Sequence, residues 1–190
     1  MKLAQRMDLI PFSGIRKVFE KVGQLEAAGK KIIHLEIGRP DFTTPENIVN
    51  ACHSALDDGQ VHYTSNYGIP GLRKAVAEKF RQDNGLEYDF RNEIIVTAGA
   101  NEAVFATIMS LLDPGDEILI PSPCWPTYFS CAHMAGAVPV AVKAGDDFQL
   151  DISSLEKALT PKTKMLVVNT PHNPTGTVYT RETLEKVAEC

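Results

Sequence analysis

The 190-residue chain is poor in the features that mark several protein classes. Its four cysteines, Cys52, Cys124, Cys131 and Cys190, show no CxxC spacing and are too few for a disulfide framework, so they are read as reduced thiols. No apolar run approaches the length of a bilayer span, and the opening MKLAQRMDLIPFSG has neither an apolar h-region nor a small-residue cleavage site. A cytoplasmic location is the expectation. Positive charge is not in excess either: 19 Lys and Arg stand scattered against 24 Asp and Glu, a net charge of -5. That balance gives no electrostatic footprint for nucleic acid or an anionic membrane, and neither partner is expected. His34, His53, His62, His133 and His172 lack HxxxH or other ligand spacing, so no metal is expected and each reads as a structural histidine. GxSxG, GxGxxG and GxxxxGK[ST] are all absent, and no Ser-His-Asp or Cys-His arrangement is supported. There is no internal repeat, low-complexity tract or linker.

What is present is a change of hydrophobic period along the chain. The first part reads as helices and loops. A helix runs from Ser13 as cap to about Ala28, with Ile15, Val18, Phe19, Val22 and Leu25 on one stripe and Gly29 as its stop. KIIHLEIG follows as a short extended segment. A second helix is expected from Pro45 to about Leu56 with Thr44 as N-cap, and a third carries Leu72, Val76 and Phe80 and ends near Gly85. From residue 93 strands and helices alternate. EIIVT, DEILIP, AVPVAV and KMLVVN read as strands, and the segments around Val104 to Leu112, TYFSCAHMAGA and DISSLEKAL as the helices between them. A last helix begins at Thr180 and reaches Cys190 with no glycine, proline or basic last turn, so it looks cut rather than finished. Strands alternating with helices of this length predict an α/β fold, a mostly parallel sheet with helices on both faces.

In such a sheet ligands collect beyond the carboxyl ends of the strands, and four loops there are chemically loaded. TAGANEAV turns a strand into a helix through the single Gly99. The turn leaves the N–H groups near Ala100 and Asn101 unpaired at the positive end of a helix dipole, which suits a phosphate. The same glycine could merely permit the turn. PSPCWPTY holds the only tryptophan, Trp125, between Pro123 and Pro126, either to stack on a planar ligand or to pack under the next helix. NTPHNPTG sets Asn173 between Pro171 and Pro174, which restrict the backbone more than a plain turn needs and present the amide with little freedom. EIGRPDF places Gly38 where a ligand could approach the backbone, while Arg39 and Asp41 could simply pair with each other.

Taken in order, LEIGRPDFTTPENI, HYTSNYGIPGLRKAVAEKF, IIVTAGANEAVF, LLDPGDEILIPSPCWPTY and LVVNTPHNPTG resemble the class I and II aminotransferases, fold-type I enzymes that use pyridoxal 5'-phosphate. The aspartate and aromatic aminotransferase branch is the nearest likeness. The resemblance implies that residues 1–45 are an N-terminal arm and a portion of a small domain, and residues 46–190 an incomplete cofactor-binding large domain. It implies transfer of an amino group between an L-amino acid and a 2-oxo acid. A related C-S lyase acting on a β-substituted amino acid, or a non-catalytic module that binds a ligand or a partner chain, shares these motifs; tryptophan at position 125 favours the aminotransferase.

Carried over by position, the resemblance gives Ala100 and Asn101 the cofactor phosphate, Trp125 the pyridine ring, and Asn173 the phenolic oxygen. Gly38 would meet the substrate carboxylate through its N–H, beside Trp125 and Asn173. Tyr63, five residues before Gly68, would reach the phosphate of the neighbouring subunit's cofactor, which implies a homodimer. Cis bonds are implied at Ser122-Pro123 and Asn173-Pro174; cis costs a prolyl bond only about 0.5–1 kcal/mol. The family's Schiff-base lysine, its pyridinium aspartate, its tyrosine and its carboxylate-gripping arginine would lie beyond residue 190, and no lysine here sits in a matching motif. No catalytic residue is therefore expected within the 190, which should be inactive by themselves. The strand Ile94 to Thr97 should lack neighbours, and one central strand should show an open edge.

Overall fold

The structure is a computed structural model that describes every residue except Met1, Ser13, Glu36, Ile37 and Arg39. The chain divides into two compact units, residues 14–98, and residues 1–13 together with 99–190.

The second of these carries the sheet. Its helices and strands run α4 (Ala100–Leu111), β1 (Glu117–Ser122), α5 (Thr127–Ala135), β2 (Val138–Lys143), α6 (Ile152–Ala158), β3 (Thr163–Leu166) and α7 (Arg181–Glu189). The three strands pair in parallel, in the order β2-β1-β3, and a single isolated bridge among the described residues, Ala144 with Leu150, is antiparallel. β1 is the axis because it is apolar on both faces. Side chains alternate along a strand, so Ile118 and Ile120 face one side and Leu119 the other, and all three are fully buried. On the first side they meet Ile108 and Leu112 of α4 and its end, and Cys131 and Ala132 of α5. On the second, Leu119 meets Val142 of β2 and Leu155 of α6, with Val187 of α7 beside them. Helices thus cover both faces, as the α/β pattern requires.

Local chemistry sets the helix ends. Asp151 and Thr180 accept hydrogen bonds from the N–H of Ser154 and Thr183 and so cap α6 and α7, and α5 ends at Gly136 in the left-handed region at φ 77. At the amino end of the sheet the Glu117 carboxylate accepts the Thr160 hydroxyl at 2.6 Å. Lys164 bulges out where the register of β1 against β3 shifts, and its ammonium reaches Asp116 at 3.1 Å.

Residues 14–98 hold α1 (Gly14–Ala27), α2 (Glu46–Asp57) and α3 (Pro70–Lys79), the last continued by a π-helical turn, Phe80–Asn84, to Gly85. The expected cap Ser13 lies outside the described residues. α2 starts one residue later than expected and takes Pro45, not Thr44, as its capping residue, with no side-chain cap bond. Within this unit only Arg73 and Ile94 among the described residues are buried. The Arg73 guanidinium donates to the carbonyls of Phe90 and Arg91 at 3.0 and 3.1 Å and lies 5.8 Å from the Tyr67 ring.

One expectation is corrected. Residues 94–97, expected as a strand without neighbours, form no strand, because among the described residues no ladder partner lies beside them; the Val96 N–H donates to Tyr67 O at 3.0 Å. Phe105 and Met109 of α4 are exposed although they keep its apolar spacing, while Val104 and Ile108 pack toward the sheet. The outer edge of β3 has no strand against it among the described residues, as expected.

Leu119→Ala should lower the stability of the sheet unit by about 2–5 kcal/mol in urea unfolding, while Met109→Ala, on an exposed face, should change it by less than about 0.5 kcal/mol. Gly68 sits at φ 94, and a Cβ there would lie 2.8 Å from the Val96 side chain. Gly68→Ala should therefore destabilise residues 14–98 by about 1–3 kcal/mol, read as earlier proteolytic cleavage in that unit.

Candidate functional site

The strands are parallel, so the loops that follow β1 and β3 leave the same edge of the sheet side by side. α4 ends at Leu111, shortly before β1 begins at Glu117, and must run back against the strands. Twelve residues at about 1.5 Å each return its N-terminus to that carboxyl edge. An open groove marks where these parts meet. It is lined by Ala103 and Val104 near the start of α4, by Tyr128 three residues after Trp125, and by Val167 and Val168 just before Asn169. The elements carrying Ala100, Asn101, Trp125 and Asn173 therefore converge.

At the helix start, Gly99 has φ 86 and provides no side-chain cap. The N–H groups of Ala100 and Asn101 find no acceptor within the chain among the described residues, and nothing stands within 4 Å of where a Gly99 side chain would be. Two amides without an acceptor at the positive end of a helix dipole suit an anion.

Trp125 is half-buried, and while Cys124 and Tyr128 pack against the core cluster, Trp125 is not among the residues that do. Its backbone is held instead: the Trp125 carbonyl accepts from the Cys124 thiol at 3.5 Å and from the Tyr128 N–H at 3.4 Å. Burial pushes the Cys124 thiol up, so it stays protonated and can donate. An indole ring on a fixed backbone and outside the core is placed to stack on a flat ligand.

The loop after β3 is the most tightly bonded segment of the site. The His172 N–H donates to Thr177 O at 2.8 Å and the Gly176 N–H returns to His172 O at 2.7 Å. Asn169 Oδ1 accepts from the Asn173 N–H at 3.0 Å while its Nδ2 donates to Pro171 O at 3.3 Å. His172 is buried, its Nδ1 is 2.8 Å from Thr175 Oγ1, and its ring centre is 5.8 Å from that of Tyr179. The Asn173 side chain is exposed and has no partner among the described residues. Ser122-Pro123 and Asn173-Pro174 are cis, and so is Thr170-Pro171, which was not expected.

Gly38 and Tyr63 belong to residues 14–98; both are exposed, and Tyr63 stands fully in solvent. Arg39, the expected partner of Asp41, lies outside the described residues. The sequence reading passed over Asn169, Thr175 and Tyr179, whose bonding depends on the fold of the loop; a buried histidine beside Asn173 agrees with its reading as structural.

The α4 amides, the Trp125 indole and the Asn173 amide belong to loops at one edge of the α/β sheet, and their chemistry suits a flat, phosphate-bearing ligand. The sequence matches the family "Aminotransferase class I and II" over residues 30–190, and the chain belongs to that family. It is 42% identical to an aromatic-amino-acid aminotransferase 2 of Thermococcus litoralis and 40% identical to an aspartate aminotransferase of Geobacillus stearothermophilus; each alignment covers 100% of this chain and 48% of the relative. A solved aspartate aminotransferase of Thermus thermophilus superposes with a TM-score of 0.94 at 41% identity, over 100% of this chain and 50% of the other. The chain spans about half the length of the curated relatives it matches. Pyridoxal 5'-phosphate is the cofactor of this family. The donor set fits it: free amides for a phosphate, a ring for a pyridine, and an amide donor for a phenolic oxygen.

Burial holds the His172 imidazole below the usual histidine value of 6.5. The unfolded chain then takes up a proton there that the folded chain refuses, so stability is complete above that value and falls as the pH drops below it. Thermal unfolding should show this decline between pH 7.5 and 5, and His172→Asn, which cannot titrate, should show a shallower one.

Proposed function

We propose that this chain is the N-terminal portion of a pyridoxal-phosphate-dependent aminotransferase of the aspartate and aromatic type, an enzyme that passes an amino group between an L-amino acid and a 2-oxo acid. The observation that carries the reading is the Ala100 and Asn101 amides, which find no acceptor among the described residues at the N-terminus of α4, a helix that lines one groove together with Tyr128, three residues after Trp125, and Val167 and Val168, just before the Asn173 loop. In this reading Ala100 and Asn101 hold the phosphate, Trp125 lies on the pyridine ring, and Asn173 donates to the phenolic oxygen. By the family resemblance Gly38, Trp125 and Asn173 serve the substrate, Gly38 through its N–H to the α-carboxylate. Tyr63, fully exposed, reaches the cofactor phosphate of a second subunit in a homodimer. When bound, pyridoxal 5'-phosphate supplies the electron sink that amino-group transfer requires. The protein residues orient the ring and exclude water from its face.

We also infer that the lysine that bonds the cofactor is not among these 190 residues, which by themselves transfer no amino group. Lys162 and Lys164 stand at the amino end of β3, away from Asn173, and Lys143 lies on the edge strand β2, with β1 between it and β3. Free thiols at Cys52, Cys124, Cys131 and Cys190 support a reducing, cytoplasmic setting, and none of the described helices is long and apolar enough to cross a membrane.

Trp125 is the only tryptophan, so its fluorescence reports on the site without interference. Pyridoxamine 5'-phosphate, which avoids reaction with surface lysines, should quench it saturably. Ala100→Pro removes one phosphate donor at a helix position that tolerates proline, and should weaken binding about tenfold. Asn173→Ala should weaken it about 3- to 10-fold. Quenching that never saturates, or that ignores both changes, would sink the reading.

A further inference from the structure

Among the polar side chains from Asn169 to Thr177, Asn173 alone has no partner among the described residues. Every other one is engaged in holding the loop. Asn169 grips the Asn173 N–H, and Thr170 Oγ1 accepts from the Tyr179 N–H at 2.9 Å. The Thr175 hydroxyl donates to Thr177 Oγ1 at 3.0 Å. With its proton committed there, Thr175 Oγ1 must accept from His172, which assigns the imidazole proton to Nδ1 at 2.8 Å.

The geometry points to His172 as a positioning residue for Asn173: its buried imidazole, bonded through Nδ1–H to Thr175 and packed beside Tyr179, holds the turn so that the Asn173 amide stays presented to the ligand. This rests on the reading that Asn173 donates to the ring oxygen of the cofactor. His172 immediately precedes Asn173, and Pro171 and Pro174 fix φ on either side of the pair, so the backbone between them has little freedom left. The two bonds between the His172 and Gly176–Thr177 backbones close the turn, and the imidazole to Thr175 bond ties the inside of the same turn. Asn169 completes the hold from the strand side. A displacement of the imidazole is therefore transmitted to the one side chain that has nothing else to hold it. Burial keeps the ring neutral near pH 7, in which state a single proton on Nδ1 meets the one acceptor offered.

The test is a ligand comparison on the 190-residue chain, read by Trp125 fluorescence. Pyridoxamine 5'-phosphate carries the ring hydroxyl, and its 3-deoxy analogue lacks it. His172→Phe keeps the bulk and loses the donor; it should weaken the hydroxylated ligand about 3- to 10-fold and leave the 3-deoxy analogue within twofold. His172→Asn places an amide donor where Nδ1 stood and should stay within twofold of the parent chain for both ligands. In an Asn173→Ala background, His172→Phe should cost nothing further, because its effect passes through that amide. Thr175→Val removes the other end of the same bond at nearly constant shape, together with the two bonds of Thr175 to Thr177 in the same turn, and should weaken the hydroxylated ligand at least as much as His172→Phe while sparing the 3-deoxy analogue, which keeps the comparison available if the phenylalanine variant does not fold. Equal weakening of both ligands, or the same loss with and without Asn173, would reduce His172 to a stability element and overturn the proposal. A parent chain that binds the two ligands alike, with no response to Asn173→Ala, would overturn the cofactor reading and the proposal with it. If Asn173→Ala discriminates between the ligands while His172→Phe and Thr175→Val do not, the positioning role alone falls.

Discussion

Ile118, Leu119 and Ile120 are consecutive and all fully dry, and consecutive strand residues point to opposite faces, so β1 can exist only between two layers. From that requirement most of the sheet unit follows. α4 and α5 cover the face of Ile118 and Ile120; α6 and α7 cover the face of Leu119. Each helix must return the chain to the amino edge before the next parallel strand starts, so every strand-to-helix loop falls on the opposite, carboxyl edge. The candidate site is there for that reason. Neither Trp125 nor Asn173 needs to be drawn to it by any interaction between the two.

The same layering explains the electrostatics of the site. α4 runs against the strands, so its N-terminus, with the free amides of Ala100 and Asn101, opens on the carboxyl edge. Those amides and the helix dipole favour an anion there without any lysine or arginine in the loop. The chain is acidic overall, at -5, and a seat built from backbone does not depend on that net charge. An uncharged seat is also selective: it fits a small anion at a fixed depth rather than any polyanion along a surface.

Periodicity made the sheet unit legible because its signals are local. Asp151 and Thr180 cap the helices they precede, Gly136 ends α5, and the apolar runs around Ile118 and Val140 are the strands they appear to be. What periodicity misjudged depends on neighbours. Residues 94–97 have the composition of a strand, but a strand is a ladder, and no partner chain segment lies beside them among the described residues. Phe105 and Met109 keep helical spacing on α4, yet nothing within the unit covers that face. At the site, the motifs in order make Ala100, Asn101, Trp125 and Asn173 the candidates, because those loops are short and stiff. The bonds that set Asn173 were not readable. They join Asn169 to Asn173 and His172 to Thr175 inside one turn, and no spacing rule distinguishes them from the many pairs that do not form.

The density of prolines and polar residues between Asn169 and Gly176 has a single physical origin. Pro171 and Pro174 carry no N–H, which leaves this stretch unable to join a ladder beyond Val167, whose N–H makes the last bond to β1 at Leu119 O. The remaining donors must be met by the loop itself. The N–H of Asn173 goes to a side-chain oxygen of Asn169, that of Thr177 to Thr175 Oγ1, and those of His172 and Gly176 close on each other's neighbourhood. Serving the backbone in this way consumes Asn169, Thr170 and Thr175, and the imidazole of His172 is drawn in as the inner wall. Asn173 is left over because its own N–H is satisfied from outside, by Asn169, so its side chain is not needed to complete the turn. A loop that stiffens itself by exhausting its polar groups, with one exception, determines which of them is free to meet a ligand.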